Sequence, residues 1–264
     1  MLAAVLVVAG ASLHATAADR HLFVLVNALG PGAAAGWSAL SVLGLGLSGY
    51  IVVGLAGPRH ARLAAAFLLA LVLGGLAVQL TKSIVAAPRP LAVLGAGQVE
   101  VIGVALLTRA LPSGHGASIA ALATLWIVDT AAARGARSAW VALIVAAPFA
   151  VAVGASRLAV GAHWPADVLV GAGLGVAVAT LQSTLAPLVR ARESIAGWLE
   201  GRAGSRLQSG VLAAAGAAAW VAERDYPAAD AVYRALALVA LVGAWRWWRL
   251  YAGPTAAPAP RRWN

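Results

Sequence analysis

Apolar stretches long enough to cross a lipid bilayer recur along this chain, and this recurrence limits its fold more than any other feature. A spanning helix needs about 20 mainly apolar residues, and hydrophobic residues make up 62% of the sequence. Candidate spans lie near residues 38–57, 62–82, 114–133, 138–156, 165–186, 207–222 and 231–250. The sequence therefore predicts an all-α, polytopic transmembrane helix bundle, with about six core helices and two C-terminal helices.

Residues 2–18 have two interpretations. They are apolar enough for a first spanning helix, but Ala15-Thr16-Ala17 also resembles the small-residue cleavage site of a signal peptide. The positively charged start of a signal peptide is missing. We therefore favour a retained helix.

The formal charge of +10 follows the predicted loops and does not indicate nucleic-acid binding. If residues 2–18 run outward, twelve of the nineteen basic residues fall inside and seven outside. The inner ones are Arg59, Arg62, Arg134, Arg137, Arg190, Arg192, Arg202, Arg206, Arg246, Arg249, Arg261 and Arg262. The outer ones are Arg20, Lys82, Arg89, Arg109, Arg157, Arg224 and Arg234. The positive-inside rule then predicts that both termini are cytoplasmic.

Three polar motifs interrupt the apolar sequence, each at the outer end of a predicted span. They are K-x6-R-P from Lys82 to Pro90, P-S-G-H from Pro112 to His115, and S-R-x5-H-x3-D from Ser156 to Asp167. Lys82 is the chain's one lysine beside eighteen arginines, which suggests a chemical requirement at that position. Because all three motifs fall on the same side, they could meet at one site.

The residue types in the motifs suit anion binding and nucleophilic chemistry. Ser113 is a favoured helix N-cap, and the amides that follow it would attract an anion, with Gly114 allowing close approach. Pro165 suits the first turn of the next helix. His163 and Asp167 are four residues apart, so a carboxylate could hold one imidazole nitrogen and leave the other free to attack.

Together the three motifs resemble the signature of the type 2 phosphatidic acid phosphatase (PAP2) superfamily, which includes vanadium haloperoxidases and bacterial acid phosphatases. The resemblance covers roughly residues 60–185 and implies a PAP2/haloperoxidase-like core. It implies that His163 is the nucleophile, Asp167 orients it, and His115 is the general acid and base. Phosphate binding would fall to Lys82, Arg89, Ser113, Gly114 and Arg157. No cofactor is implied, and we predict no metal site because the motifs supply one carboxylate and two histidines.

The leading hypothesis is a lipid phosphatase of the bacterial inner membrane with an extracytoplasmic site. Candidate substrates are undecaprenyl pyrophosphate, phosphatidylglycerol phosphate, phosphatidic acid and lipid A 1-phosphate, the first favoured by analogy with outward-facing bacterial members. The alternative is a transporter or flippase-like protein that binds lipid phosphate without hydrolysis. A haloperoxidase is disfavoured because its vanadate site belongs to soluble proteins. Arg109 and Glu100 could contact a headgroup or be solvated loop charges.

The predicted domain boundaries are a PAP2-like domain over 1–189, a cytoplasmic linker over 190–206 that could include a short surface helix, and a C-terminal two-helix extension with a basic tail over 207–264. The extension could pack against the core, mediate a homodimer or shape a lipid entrance. Trp245, Trp247 and Trp248 alternate with arginines in a pattern typical of an interfacial anchor.

Overall fold

The computed structural model describes residues 1–221 and 224–249, and the regular elements in those ranges are all helical. The α-helices are α1 (Leu2–Leu13), α2 (Ala17–Asn27), α3 (Ala34–Leu43), α4 (Gly46–Leu55), α5 (Ala61–Val85), α6 (Pro90–Leu94), α7 (Gly114–Arg134), α8 (Ala136–Ala159), α9 (Pro165–Thr184), α10 (Ala186–Glu200), α11 (Arg202–Val221) and α12 (Asp230–Arg249). The predicted all-α bundle is confirmed.

Five helical stretches among the described residues are long and apolar enough to cross a membrane. They are Pro58–Leu94, which contains α5, together with α7, α8, α9 and α12. Two bent helix pairs raise the number to seven if each pair counts as one span. The polytopic membrane architecture expected from hydropathy is therefore present.

The predicted span at 38–57 is not one straight helix. It consists of α3 and α4, and the run from Pro31 to Leu55 bends by 70° between them. Two side chains satisfy carbonyl groups near the break: the Ser118 hydroxyl donates to Gly44 O at 2.7 Å, and the Ser48 hydroxyl donates to Val42 O at 2.6 Å. Such bonds let a broken helix persist where lipid offers no partners.

Residues 2–18 also differ from the single helix expected there. Helix α1 ends at Leu13, and α2 begins at Ala17 with a bend of 98°. Thr16 starts the new helix because its hydroxyl oxygen accepts the Asp19 N–H at 3.1 Å. Helix α1 packs along α9, where Gly10 lies against Val170. This packing suits a retained helix, although cleavage itself stays untested.

The C-terminal helices pack against the core of the bundle. Helices α11 and α12 lie side by side, and α12 also packs on α4. The Trp247 indole, completely buried, donates to Gly54 O at 2.9 Å. Trp247 is therefore a packing residue and not an interfacial anchor, whereas Trp245 and Trp248 are exposed.

The segment 190–206, predicted as a linker, is mostly helical. It lies in α10 and the start of α11. Helix α11 is not among the five candidate spans, because its first half carries Arg202, Ser205, Arg206, Gln208 and Ser209. The predicted span at 207–222 is thus a helix of mixed polarity. The basic tail from residue 250 onward, with Arg261 and Arg262, lies outside the described residues.

Close crossing of α7 and α9 brings the motif-bearing helix ends together. Gly171 lies against the backbone of Ser113, and Gly175 lies against the backbone at Ala117, so neither position has space for a Cβ atom. The absence of side chains lets the two backbones touch. Ser113 N–H donates to Asp167 O at 2.9 Å and fixes the register of the two helix starts.

Candidate active site

Four helix ends converge on one polar site. Lys82 lies in the last turn of α5, Ser113 caps the start of α7, Arg157 lies in the last turn of α8, and Asp167 lies in the first turn of α9. His163 occupies the short turn between α8 and α9, where its N–H donates to Arg157 O at 3.1 Å. The three motifs therefore lie together, as the predicted topology requires.

His163 and Asp167 form a buried pair. His163 Nδ1 lies 3.2 Å from Asp167 Oδ2, and the two residues are 3% and 0% exposed. The same oxygen accepts the Trp164 N–H at 2.9 Å, whereas Oδ1 has no hydrogen-bond partner. Because Asp167 Oδ2 accepts a hydrogen bond from Nδ1–H, we assign the proton to Nδ1 and the imidazole lone pair to Nε2.

Burial, reinforced by the charges of Arg89 and Arg157, holds the pKa of His163 well below its usual range. Lys82 and His115 contribute in the same direction, which places all four groups close to this imidazole. The ring is therefore neutral at neutral pH. A neutral ring keeps the lone pair that a nucleophile requires.

Arg89 lies directly beside the imidazole and is held by backbone carbonyls. Its Nη1 donates to Ala162 O at 2.7 Å and lies 3.4 Å from His163 Nε2, and its Nε donates to Thr108 O at 2.8 Å. None of these partners carries a negative charge. The guanidinium charge thus remains available to a bound anion.

Lys82 and Arg157 complete a group of three buried cations. Lys82 Nζ donates to Arg109 O at 2.6 Å, and Arg157 Nη1 donates to the Tyr226 hydroxyl at 2.7 Å. The exposed fractions of Lys82, Arg89 and Arg157 are only 9%, 7% and 3%. Burying charge is costly unless an opposite charge compensates it, and Asp167 is the single acidic side chain placed beside His163 among the described residues. This surplus of positive charge favours an anionic ligand.

The start of α7 adds a helix terminus to the same site. The Ser113 oxygen accepts the Gly116 N–H at 3.3 Å, and Gly114 and His115 open the helix. The positive end of a helix attracts anions. His115 Nε2 is buried without a partner, which leaves it free to exchange a proton with a ligand.

A mainly apolar cavity of about 290 Å³ adjoins His115. It lies between α5, α7 and the α3–α4 break, and its lining includes Gly44, Leu71, Gly74, Val78 and Ala121. Gly114 and His115 line the same cavity. A polar site and an apolar space thus meet at the first turn of α7.

Arg109 contributes its backbone to the site and turns its side chain away. Its carbonyl accepts from Lys82, while its guanidinium is exposed and donates to Ser83 Oγ at 3.1 Å. Glu100 is bound through its backbone, because its N–H donates to Asn27 Oδ1 at 2.8 Å. A headgroup contact by the Arg109 side chain stays a prediction.

Sequence reasoning did not identify three residues that support the site. The Tyr226 hydroxyl accepts a hydrogen bond from Arg157. Asp19 Oδ1 accepts the Ala166 N–H at 2.9 Å. The Asn27 amide donates to the carbonyls of Leu158 and Ala159. Asp19 thus caps the start of α9, while Asn27 holds the end of α8. Asp19 lies in a polar segment that resembles an ordinary outer loop, and no motif marks Tyr226 or Asn27.

These features define a helical membrane protein with a buried histidine–aspartate pair beside an anion-binding group of cations. Compared with known families, residues 63–189 match the PAP2 superfamily, so this segment contains a PAP2 domain. The segment contains every motif residue from Lys82 to Asp167, but neither Asp19 nor Tyr226. No curated protein and no solved structure shows a significant match to the chain.

Proposed function

We propose that this protein is a membrane lipid phosphatase that hydrolyses a phosphate monoester or pyrophosphate through a phosphohistidine intermediate. The match of residues 63–189 to the PAP2 superfamily supports phosphatase activity on phosphate esters. The observation that carries the proposal is the neutral His163 imidazole, which lies beside buried cations. Among the described residues, Asp167 is the one carboxylate beside them. A phosphoryl group would supply the missing negative charge.

The proposed reaction has two steps. In the first, the His163 Nε2 lone pair attacks phosphorus, and the bond from phosphorus to the leaving oxygen breaks, which is the lipid oxygen in a monoester and the bridging oxygen in a pyrophosphate. His115 donates a proton to that leaving oxygen. In the second, His115 removes a proton from water, whose oxygen attacks phosphorus and breaks the N–P bond. Asp167 stabilises the positive imidazole in between.

Lys82, Arg89 and Arg157 would hold the phosphoryl oxygens, together with Ser113 and the Gly114 amide. Phosphoryl transfer depends mainly on such positioning and charge stabilisation. Because these cations can offset the charge that a metal ion offsets in other phosphatases, the proposed mechanism uses no metal. In the described residues, no three His, Cys, Asp or Glu side chains gather as a metal site would require.

The lipid character of the substrate is inferred from the cavity beside His115. Its apolar lining lies within helices that are candidate membrane spans, so an apolar chain could reach into the bundle while its phosphate meets the cations. Our preferred substrate is undecaprenyl pyrophosphate, by analogy with outward-facing bacterial members. Phosphatidylglycerol phosphate, phosphatidic acid and lipid A 1-phosphate fit the same chemistry.

The experiment measures phosphate release by purified protein in detergent, with EDTA and without added metal. Wild type should release phosphate, and His163→Ala should lose the activity completely while remaining folded. The control is His60→Ala, which removes an exposed imidazole in the loop before α5 and should behave as wild type.

Three results would contradict the proposal. Activity retained in His163→Ala would refute the nucleophile, and activity that requires Mg²⁺ or Zn²⁺ would refute the metal-free mechanism. Lipid-phosphate binding without phosphate release by wild type would favour the transporter alternative.

A further inference from the structure

The segment that joins α11 to α12 reaches the site from outside the PAP2 region. Tyr226 lies in this segment and is only 8% exposed. Its hydroxyl oxygen accepts a hydrogen bond of 2.7 Å from Arg157 Nη1, and the Arg157 guanidinium carbon lies 5.7 Å from the ring centroid. A residue of the C-terminal extension is thus in direct contact with a motif arginine.

The tyrosine ring is held firmly in this position. It belongs to a buried cluster with Val42, Val160 and Ala162. Gly103 lies against one edge of the ring with φ +88°, and a Cβ atom there would come 2.8 Å from Tyr226 Cε1. This packing holds the hydroxyl next to Arg157, which is itself buried.

The hydrogen bonds of this pair are incomplete in a way that suits an anion. Arg157 Nε is buried without a partner. The Tyr226 oxygen accepts from Arg157, and none of the described residues accepts the phenolic hydrogen in return. The Nε–H of Arg157 and the phenolic hydrogen of Tyr226 are therefore left for a ligand.

A neutral phenol also differs from the usual partner of a buried arginine. A carboxylate would orient Arg157 but would cancel its charge, whereas a phenol orients the guanidinium and leaves the charge in place. The Tyr226 hydroxyl thus touches the Arg157 guanidinium without removing its charge.

We propose that Tyr226 is a positioning residue for Arg157 and a further hydrogen-bond donor to the phosphoryl group. The C-terminal helix pair would then complete the phosphate site in addition to packing against the bundle. This inference rests on the proposed function, since it assumes that the anion is a phosphoryl group.

The test compares Tyr226→Phe with Tyr50→Phe. Each change deletes one buried hydroxyl with a 2.7 Å hydrogen bond, because the Tyr50 hydroxyl donates to Gln208 Oε1 on α11. Both therefore weaken contacts to the C-terminal pair, but only Tyr226 touches the site. Orthovanadate affinity, measured by thermal shift, and kcat/KM for phosphate release are the two readouts.

Tyr226→Phe should lower both kcat/KM and orthovanadate affinity by about tenfold or more, as expected for a lost hydrogen bond to a charged group. Tyr50→Phe should leave both within about twofold of wild type, because it shares no partner with the site. Equal behaviour of the two variants, or a loss of thermal stability in Tyr226→Phe without loss of orthovanadate affinity, would overturn the proposal. If wild type binds orthovanadate but releases no phosphate, the proposed function fails, and the affinity comparison still decides the role of Tyr226.

A second variant covers the case in which Tyr226→Phe does not fold. Replacing Tyr226 by 3-fluorotyrosine retains the ring and hydroxyl but makes the hydroxyl a stronger hydrogen-bond donor. Orthovanadate affinity at fixed neutral pH should therefore rise above that of wild type. An unchanged affinity would show that the hydroxyl does not donate to the anion.

Discussion

Arg89 illustrates how a single buried cation can be stabilised without being neutralised. Its guanidinium donates to the carbonyls of Thr108 and Ala162 and approaches that of Arg109. Carbonyl dipoles satisfy the N–H groups but leave the net charge intact, so the charge acts on its neighbour, His163. The same arrangement holds Lys82, whose ammonium donates to the Arg109 carbonyl.

The pH dependence of phosphate release should report this effect. The pKa of His163 is lowered by burial and then by Arg89 and Arg157, so the ring stays unprotonated below the ordinary histidine pKa of about 6.5. The acid limb of kcat/KM should therefore lie below pH 6.5. Arg89→Gln removes one of the positive charges that lower the pKa of His163, so the acid limb of kcat/KM should move to higher pH.

Both proteins are measured on the same substrate, so that titration of the substrate phosphate affects them equally. An acid limb at the same pH in both would show that Arg89 does not act on the pKa of His163.

The lowered pKa of His163 also determines how the stability of the protein depends on pH. Because the unfolded chain takes up a proton near pH 6.5 and the folded protein does not, His163 should lower the free energy of unfolding as pH falls below that value.

At the scale of elements, the site depends on how closely α7 and α9 cross. The Ser113 backbone occupies the space where a side chain at Gly171 would lie, and this contact places the start of α7 against the start of α9. Asp19 stabilises the start of α9, because its carboxylate accepts the Ala166 N–H. Helix packing, and not the loop between the motifs, therefore sets the distance between the anion-binding terminus and the His163–Asp167 pair.

Gly171→Ala should consequently damage both stability and activity. The new methyl group meets the Ser113 backbone, and overpacking of this kind costs about 1–3 kcal/mol in the free energy of unfolding. Phosphate release should fall because Ser113 and Gly114 must shift away from His163. Thermal unfolding in detergent and initial rates measure the two effects.

The matched control is Gly197→Ala on α10, where the added Cβ meets no atom beyond its own stretch of helix within 4 Å. It should keep wild-type activity and gain about 0.4–1 kcal/mol, because alanine restricts the unfolded chain. If Gly171→Ala behaves like this control, the close crossing does not position the site.

Local sequence patterns predicted the motif residues and helix starts of the site, but not the tertiary contacts that hold them in place. Pro165 and Ser113 mark helix starts in the sequence, and the i,i+4 spacing of His163 and Asp167 already implies a shared face. The bend between α3 and α4 depends instead on Ser118 from another helix. Tyr226 meets Arg157 across 69 residues. No periodicity encodes such tertiary contacts, and this is why hydropathy and motifs missed them.

At the scale of the whole molecule, the cationic site and the predicted inner arginines lie at opposite ends of the same helices. Lys82 and Arg157 end α5 and α8, whereas Arg62 and Arg137 begin them. Helix α7 runs from the site at Gly114 to Arg134, and its 21 residues extend about 31 Å at 1.5 Å per residue, roughly the thickness of the hydrocarbon core. The loops at its two ends therefore report the two sides of the membrane.

A labelling experiment on these loops tests the predicted orientation. The sequence contains no cysteine, so Gly97→Cys and Arg134→Cys each introduce a single thiol at an exposed position. If the inner arginines set the orientation, an impermeant thiol reagent applied to intact cells should label position 97 and not position 134. Permeabilised cells, in which both positions should react, provide the control. Labelling at 134 alone would place the site in the cytoplasm, and hydrolysis of an outer-leaflet pyrophosphate would then be impossible for this protein, because the scissile bond and His163 would face different compartments.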